Sequence, residues 1–345
     1  MIGVAGTSQA MAALDEGTSS QMINAAIVGL GRWGRNHVKA VAGSPRIRYV
    51  RAVTRNPAAA QDFAAQHRLA LTTSYEEVLA DPTIDAVVLA TPHSRHVDEV
   101  VAAAKAGKAV WCEKPLALTR AEAARAVDAC RVAGVTLASG YNRRFFSSMR
   151  GLARVVDSGA LGDILHIEGH FSNEYSIHVA GGGWRDDPGE SPALGMTGCG
   201  LHVLDALVWL AGPIRLLDAK AFAPKSVPDP RDAVAMLATF ASGATGTMAT
   251  VRASAPFWRV HVFGTNGAAE ARDEDTLRVT LIGKPATEET LPRVDSLRAA
   301  CEAFAEAIEH RTPFLMTPSE LVDVTAAFEA VIASLATGTP ATVPA

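Results

Sequence analysis

The stretch Ala25-Ala26-Ile27-Val28-Gly29-Leu30-Gly31-Arg32-Trp33-Gly34 decides how this chain is read. Its apolar opening is a short buried strand, and residues 35–42 beyond it have helical character. Between them lies Gly-x-Gly-x-x-Gly. Gly29 permits the tight turn, Gly31 lets backbone approach a pyrophosphate, and Gly34 lets the helix pack closely on the strand. Arg32 and Trp33 stand within this turn, ahead of a helix whose free N–H groups and positive dipole end attract phosphate. Three glycines alone are a weak signal. The strand before them and the helix after them make the segment a dinucleotide site rather than a structural turn.

Outward from this turn, residues 23–140 alternate strand-like and helix-like segments. Ile23–Val28, Ile47–Val53, Ile84–Ala90, Ala109–Cys112 and Val135–Ser139 are short apolar runs, the pattern of strands buried on both faces. Ser74–Glu77 and Thr119–Glu122 read as capping boxes that start the intervening helices. Repeated strand–helix–strand units imply a parallel sheet with ligands at the strands' carboxyl ends.

After about residue 143 the rhythm changes. A helix (Phe146–Ser158), a strand (Ile164–Phe171), a Gly/Pro/Asp-rich loop and a second helix (Leu201–Leu210) come first. Strand-like runs at Leu216–Phe222, Ala233–Phe240, Thr245–Arg252, Arg259–Gly264 and Leu277–Ile282 then follow at short intervals, separated by hairpin turns. Two helices close the chain, the second beginning at the capping box Thr317-Pro318-Ser319-Glu320. The expected division is a tail over 1–22, a nucleotide domain over 23–142 and an α+β domain over 143–345.

With 345 residues there is length for two domains, and a net charge of −4 gives no general attraction to nucleic acid or anionic membrane. No apolar run reaches the ~18 residues of a membrane span. Residues 1–21 lack the basic and apolar regions of a signal peptide and read as a disordered tail, with Met22 a candidate initiator. Cys112, Cys130, Cys199 and Cys301 lack paired spacing and read as core thiols of a reducing, cytoplasmic compartment. His166, Glu168 and His170 alternate along one strand. They are read as a polar sheet face or subunit interface in preference to a metal site, and no metal is expected.

The second strand ends Val53-Thr54-Arg55-Asn56, with no carboxylate to bond an adenosine ribose or repel a 2′-phosphate. Thr54 and Arg55 can instead hold that phosphate, which favours NADP while leaving NAD possible. Thr91 and Pro92 follow another strand, at the edge where cofactor and substrate meet. A further strand ends at Glu113-Lys114-Pro115, placing a lysine where it can contact the nicotinamide ribose and stabilise a developing alkoxide.

Together these segments resemble the Gfo/Idh/MocA oxidoreductase family, which includes glucose–fructose oxidoreductase and inositol dehydrogenases. The resemblance runs from about residue 24 onward. It rests on Gly29–Gly34, Ala90-Thr91-Pro92, His96, Glu113-Lys114-Pro115, Tyr141–Phe145, Ser158–Gly162, Trp184-Arg185 and His202-Val203-Leu204-Asp205. It implies an α/β Rossmann dinucleotide-binding domain followed by an α+β domain with a large, mainly antiparallel open sheet. That sheet is expected to build a homodimer or homotetramer.

By the resemblance, Lys114 contacts cofactor and substrate, His96 and Glu113 belong to the cofactor site, and His202 exchanges the substrate's proton. Tyr141 and Arg144 are assigned to the substrate, one of the pair Arg143 and Arg144 being structural. Trp184 and Arg185 either wall the pocket or anchor its loop. The chain departs from the family at Gly198, where many relatives carry Asp four residues before the histidine. Thr197 or another group substitutes, or the substrate lacks a hydroxyl there. The leading expectation is an NADP-preferring dehydrogenase of a sugar, cyclitol or related hydroxylated ring. A dehydrogenase of cyclic dihydrodiols and a cofactor-sensing regulator are the alternatives.

Overall fold

The computed structural model describes residues 21–174, 183–223 and 232–344. The expected tail therefore lies outside the described residues, apart from its last two.

The first sheet is built from β1 (Ile23–Val28), β2 (Ile47–Val53), β3 (Ala70–Thr72), β4 (Ala86–Leu89), β5 (Ala109–Cys112) and β6 (Leu137–Ser139). All its pairings are parallel, in the order β3-β2-β1-β4-β5-β6. The order reverses between β1 and β4, and such a switch point opens a crevice at the strands' carboxyl ends. Helices α1 (Arg32–Ala40), α2 (Gln61–His67), α3 (Tyr75–Ala80), α4 (His96–Lys105) and α5 (Arg120–Ala133) are its crossovers. Strand β3 went unread because three residues are too few to show a period. Ser74 and Thr119 cap α3 and α5 through the backbone N–H groups of Glu77 and Glu122.

The second half opens with α6 (Ser147–Asp157), β7 (Ile164–Asn173) and α7 (Leu201–Ala211). It continues through β8 (Ile214–Phe222), β9 (Ala233–Phe240), β10 (Thr245–Arg252), β11 (Phe257–Gly264), β12 (Gly267–Arg272), β13 (Thr276–Leu281) and β14 (Thr287–Thr290). Helices α8 (Ser296–His310) and α9 (Pro318–Thr337) and the short β15 (Ala341–Thr342) end it. The nine strands run β14-β13-β12-β11-β7-β10-β9-β8-β15, and only β7 with β10 is parallel. Strand β9 shows how the sheet was legible: Val234, Met236, Ala238 and Phe240 are buried while Ala235, Leu237 and Thr239 are exposed. Strands β12 and β14 were unread, since Gly267–Arg272 is too Ala-rich and β14 wholly exposed.

Helix α7 is apolar nearly all round and is buried along its length, packed on β7 and α9. Gly169 of β7 lets it approach, since a Cβ there would stand 2.3 Å from Val203 Cγ1. His202 and Asp205 are thereby carried into the interior. Helix α8 returns to the first sheet, where Phe304 and then Phe314 beyond the helix meet the Trp111 ring edge-on, each 5.8 Å away. Thr317 and Glu320 form the reciprocal capping box read at the start of α9. All four cysteines are buried and free. Among the described residues, no helix is long and apolar enough to cross a membrane.

Candidate active site

The glycine turn lies at the switch point. Gly29 has φ +94°, and a Cβ there would stand 2.6 Å from the Ala90 carbonyl oxygen at the end of β4. A Cβ on Gly34 would stand 2.0 Å from the Gly29 carbonyl oxygen, so helix and turn touch backbone to backbone. At Gly31 a Cβ would meet nothing within 4 Å, and no side chain caps α1. The turn thus presents bare backbone and the uncapped N-terminus of a helix to open space, a cradle that fits a pyrophosphate. Arg32 is exposed and Trp33 half-buried beside it. Thr54 and Arg55 extend from β2, Arg55 exposed and the Thr54 hydroxyl accepting from the Asn56 N–H at 3.4 Å.

The loops after β4 and β5 are latched together by His96. Its Nδ1 lies 2.8 Å from the Pro115 carbonyl and its Nε2 3.1 Å from that of Thr91. The ring expected to touch cofactor is instead buried and engaged by backbone on both sides. The Thr91 hydroxyl donates to Glu99 at 2.5 Å. Glu113 is also a buried support: its carboxylate bonds His37 Nε2 at 2.7 Å and Trp111 Nε1 at 3.3 Å and fills the space above Gly140. Burial pushes that carboxyl up, but the hydrogen bond and charge of His37 hold it below the usual range. Lys114 is thereby set on a rigid base at the mouth of β5.

Opposite it, residues 196–200 form a π-helical turn leading into α7. Such a turn shifts the carbonyl ladder, and it recurs at functional sites. The Gly198 carbonyl accepts the Lys114 ammonium. Burial brings that ammonium down to about 8, with Arg185 and Arg143 adding repulsion against the pull of Cys199 and Glu113. One turn on, the buried His202 has its Nδ1 without a partner among the described residues. Burial, then the charges of Lys114 and Arg143, hold it well below the ordinary histidine value, as a neutral imidazole. The rings of Tyr141 and Phe171 each stand 6.2 Å from it, edge-on.

Two assignments to the substrate are corrected. Arg144 is only 2% exposed; its guanidinium bonds both oxygens of Asp205 at 2.7–3.1 Å and Glu320 at 3.1 Å. It ties the 3₁₀ turn Asn142–Phe145 to α7 and α9, and the arginine on the site's side is Arg143. Thr197 does not replace the missing carboxylate, because its hydroxyl turns inward to accept from the Ala193 N–H at 3.2 Å. Gly198 is exposed, and a Cβ there would meet nothing within 4 Å.

Trp184 meets the His93 ring edge-on at 4.8 Å, and Arg185 lies 4.1 Å over Trp184. Trp184 docks the pair on the loop after β4, and the charge of Arg185 acts on Lys114. Two anchors of this region gave no local signal in the sequence. Glu190 accepts from the Ser94 hydroxyl at 2.5 Å and its N–H at 3.1 Å, and Asp232 accepts from the Gly195 N–H at 3.2 Å. On the outer sheet face, His166 meets Thr245, Glu168 pairs with Arg259, and His170 packs on Phe257.

A parallel sheet of this order, a glycine cradle at its switch point and a lysine–histidine pair beside it define a nucleotide-dependent oxidoreductase. Comparison with known proteins agrees. Residues 23–141 match the model of the oxidoreductase family with an NAD-binding Rossmann fold, and residues 149–270 match the GFO/IDH/MocA C-terminal domain. The chain belongs to the Gfo/Idh/MocA family and is a nicotinamide-dependent oxidoreductase.

Among its relatives is the rhizopine catabolism protein MocA of Rhizobium meliloti, 29% identical over 307 residues that span 86% of this chain and 90% of MocA. Inositol 2-dehydrogenase of Rhizobium meliloti strain 1021 is 29% identical over 271 residues, 74% of this chain and 77% of that enzyme. The structure of levoglucosan dehydrogenase in complex with NADH and levoglucosan superposes with a TM-score of 0.84 at 22% identity, over 94% of this chain and 100% of that one.

Proposed function

We propose that the protein is an NADP-preferring dehydrogenase moving hydride reversibly between nicotinamide and a secondary alcohol or ketone on a sugar, cyclitol or related hydroxylated ring. One observation carries this reading: Lys114, at the mouth of β5, bonds the turn that leads into α7, where the buried, neutral His202 feels its charge and has its Nδ1 without a partner among the described residues. Lys114 donates to the substrate oxygen and stabilises its negative charge as the carbinol C–H bond breaks. His202 takes the hydroxyl proton and returns it in the reverse direction. The bound nicotinamide accepts or supplies the hydride. Gly31 and the α1 N-terminus receive the pyrophosphate, Gly29 and Gly34 shape the turn that presents them, and Arg32, Trp33, Thr91 and Pro92 line its approach. Relatives named as dehydrogenases of inositol and levoglucosan support the substrate class.

The cofactor preference is supported by the end of β2, where Thr54-Arg55-Asn56 offers an exposed cation and no carboxylate. Fluorescence titration should show NADPH bound more tightly than NADH, and Arg55→Ala should weaken NADPH alone by about tenfold. Tighter binding of NADH overturns the preference. Initial rates on sugars, inositols and cyclic dihydrodiols test the substrate, and turnover of dihydrodiols alone overturns it. The outer sheet face exposes Leu216, Phe222, Leu237 and Phe257, which supports a homodimer or homotetramer through that sheet. A monomer in light scattering excludes it.

A further inference from the structure

A buried cation is costly unless an anion stands beside it. Three arginines elsewhere follow this rule, Arg144 facing Asp205 and Glu320, Arg252 facing Asp232, and Arg259 facing Glu168 and Glu270, while the buried Lys108 is held by the Asp81 and Ile84 carbonyls. Around His202, neither Arg143 nor Arg185 has such a partner among the described residues. The charges of Lys114 and Arg143 both act on His202, and those of Arg143 and Arg185 act on Lys114. Among the described residues, none of these three cations forms an ion pair with a carboxylate. Glu113 and Glu274 attract them only from beyond contact, and Glu113 is already bonded to His37.

The geometry at Arg143 is specific. Its guanidinium lies over Phe146 at 4.6 Å and over Phe171 at 5.0 Å, and its buried Nε has no acceptor among the described residues. Phe171 also packs edge-on to His202, so this unfilled donor sits one ring away from the proton-transfer group. Among the described residues, no atom lies within 4 Å of a Cβ built on Gly198, whose carbonyl accepts from Lys114. A neutral polyol leaves this concentration of positive charge unanswered. A carboxylate fits it, because arginine is the side chain best matched to that group.

We propose that the substrate is a polyhydroxylated acid, a sugar or cyclitol acid, whose carboxylate is received by Arg143 while its carbinol lies between Lys114 and His202. This rests on the dehydrogenase reading above. The carbinol C–H leaves as hydride to the nicotinamide, the O–H proton goes to His202, and a keto acid forms. The carboxylate is unchanged throughout.

The test uses matched pairs, D-glucuronate with D-glucose and D-galacturonate with D-galactose, on the cofactor-loaded enzyme. Binding is read by calorimetry and turnover by nicotinamide absorbance. At least one acid should bind and turn over about tenfold better than its neutral partner. Arg143→Met should weaken that acid at least tenfold more than the neutral sugar, with partial recovery in Arg143→Lys. Gly198→Asp places a like charge in the open space and should shift preference toward the neutral partner; it decides the matter if the Arg143 variants fail to fold. Preference for neutral sugars, failure of every acid to bind, or an equal effect of Arg143→Met on both members overturns the proposal. Acid binding with the Arg143 signature but no hydride transfer supports acid recognition and refutes the dehydrogenase reading. Turnover of neutral sugars alone does the reverse.

Discussion

Gly31 and Gly34 stand three residues apart in one turn, yet replacing each by alanine should have opposite consequences. At Gly34 the new methyl would lie 2.0 Å from the Gly29 carbonyl oxygen, a full ångström inside the 3.0 Å limit of real contacts. Backbone cannot swing aside as a side chain can, so helix and strand must separate; overpacking of this kind costs about 1–3 kcal/mol. At Gly31 the methyl meets no protein atom, and φ −74° with ψ −165° suits alanine. The poorer N-cap costs about 0.5–1 kcal/mol, and the loss of unfolded-state entropy offsets about 0.4–1 kcal/mol.

The stability of Gly31→Ala should therefore stay within about 0.5 kcal/mol of wild type. Its methyl, however, occupies the space where pyrophosphate must approach the α1 N-terminus. Losing one charge-assisted hydrogen bond there costs about 1.5–3 kcal/mol, or roughly 10- to 150-fold in Kd. Urea unfolding of the apo variants and fluorescence titration with NADH and NADPH separate the two effects. Wild-type affinity for both cofactors in Gly31→Ala, or unchanged stability in Gly34→Ala, would refute this account of the turn.

Arg144→Met should leave the buried Asp205 facing no arginine and destabilise the protein by about 3–5 kcal/mol in urea; a change under about 1 kcal/mol contradicts a structural role. Lys114 titrates at about 8 in the fold, so kcat/KM should fall as pH rises through 8, and Lys114→Ala should cost roughly 10²–10³ in kcat and abolish that limb. The unfolded ammonium titrates near 10.5, so between 8 and 10.5 the unfolded chain holds the extra proton. Apo-enzyme stability should then rise with pH across that window, and the rise should vanish in Lys114→Met.

Much of the fold was legible because it is written in short-range patterns. Strands buried on both faces appear as apolar runs such as Ala25–Val28, and the nine-stranded sheet as the alternation of Val234 to Phe240. Lys114 could be located because it ends such a run. Strands β3 and β14 escaped since neither is long or buried enough to carry a period. His96 and Glu113 sit where the motifs put them, but their polar atoms turn away from the crevice to backbone and to His37.

What the sequence determined by itself is local: the glycine turn, its neighbouring strands, and the placement of Lys114 and His202 at element ends. Those follow from backbone sterics and from hydrophobic period, which act over a few residues. Tertiary structure alone decided which of two adjacent arginines is tied into the core. Arg144 is claimed by Asp205, 61 residues away, and by Glu320, 176 away, while Arg143 lies over Phe146 and Phe171. It also decided that Gly198 offers its carbonyl to Lys114. Both depend on partners brought together only by packing, and no spacing along the chain encodes them.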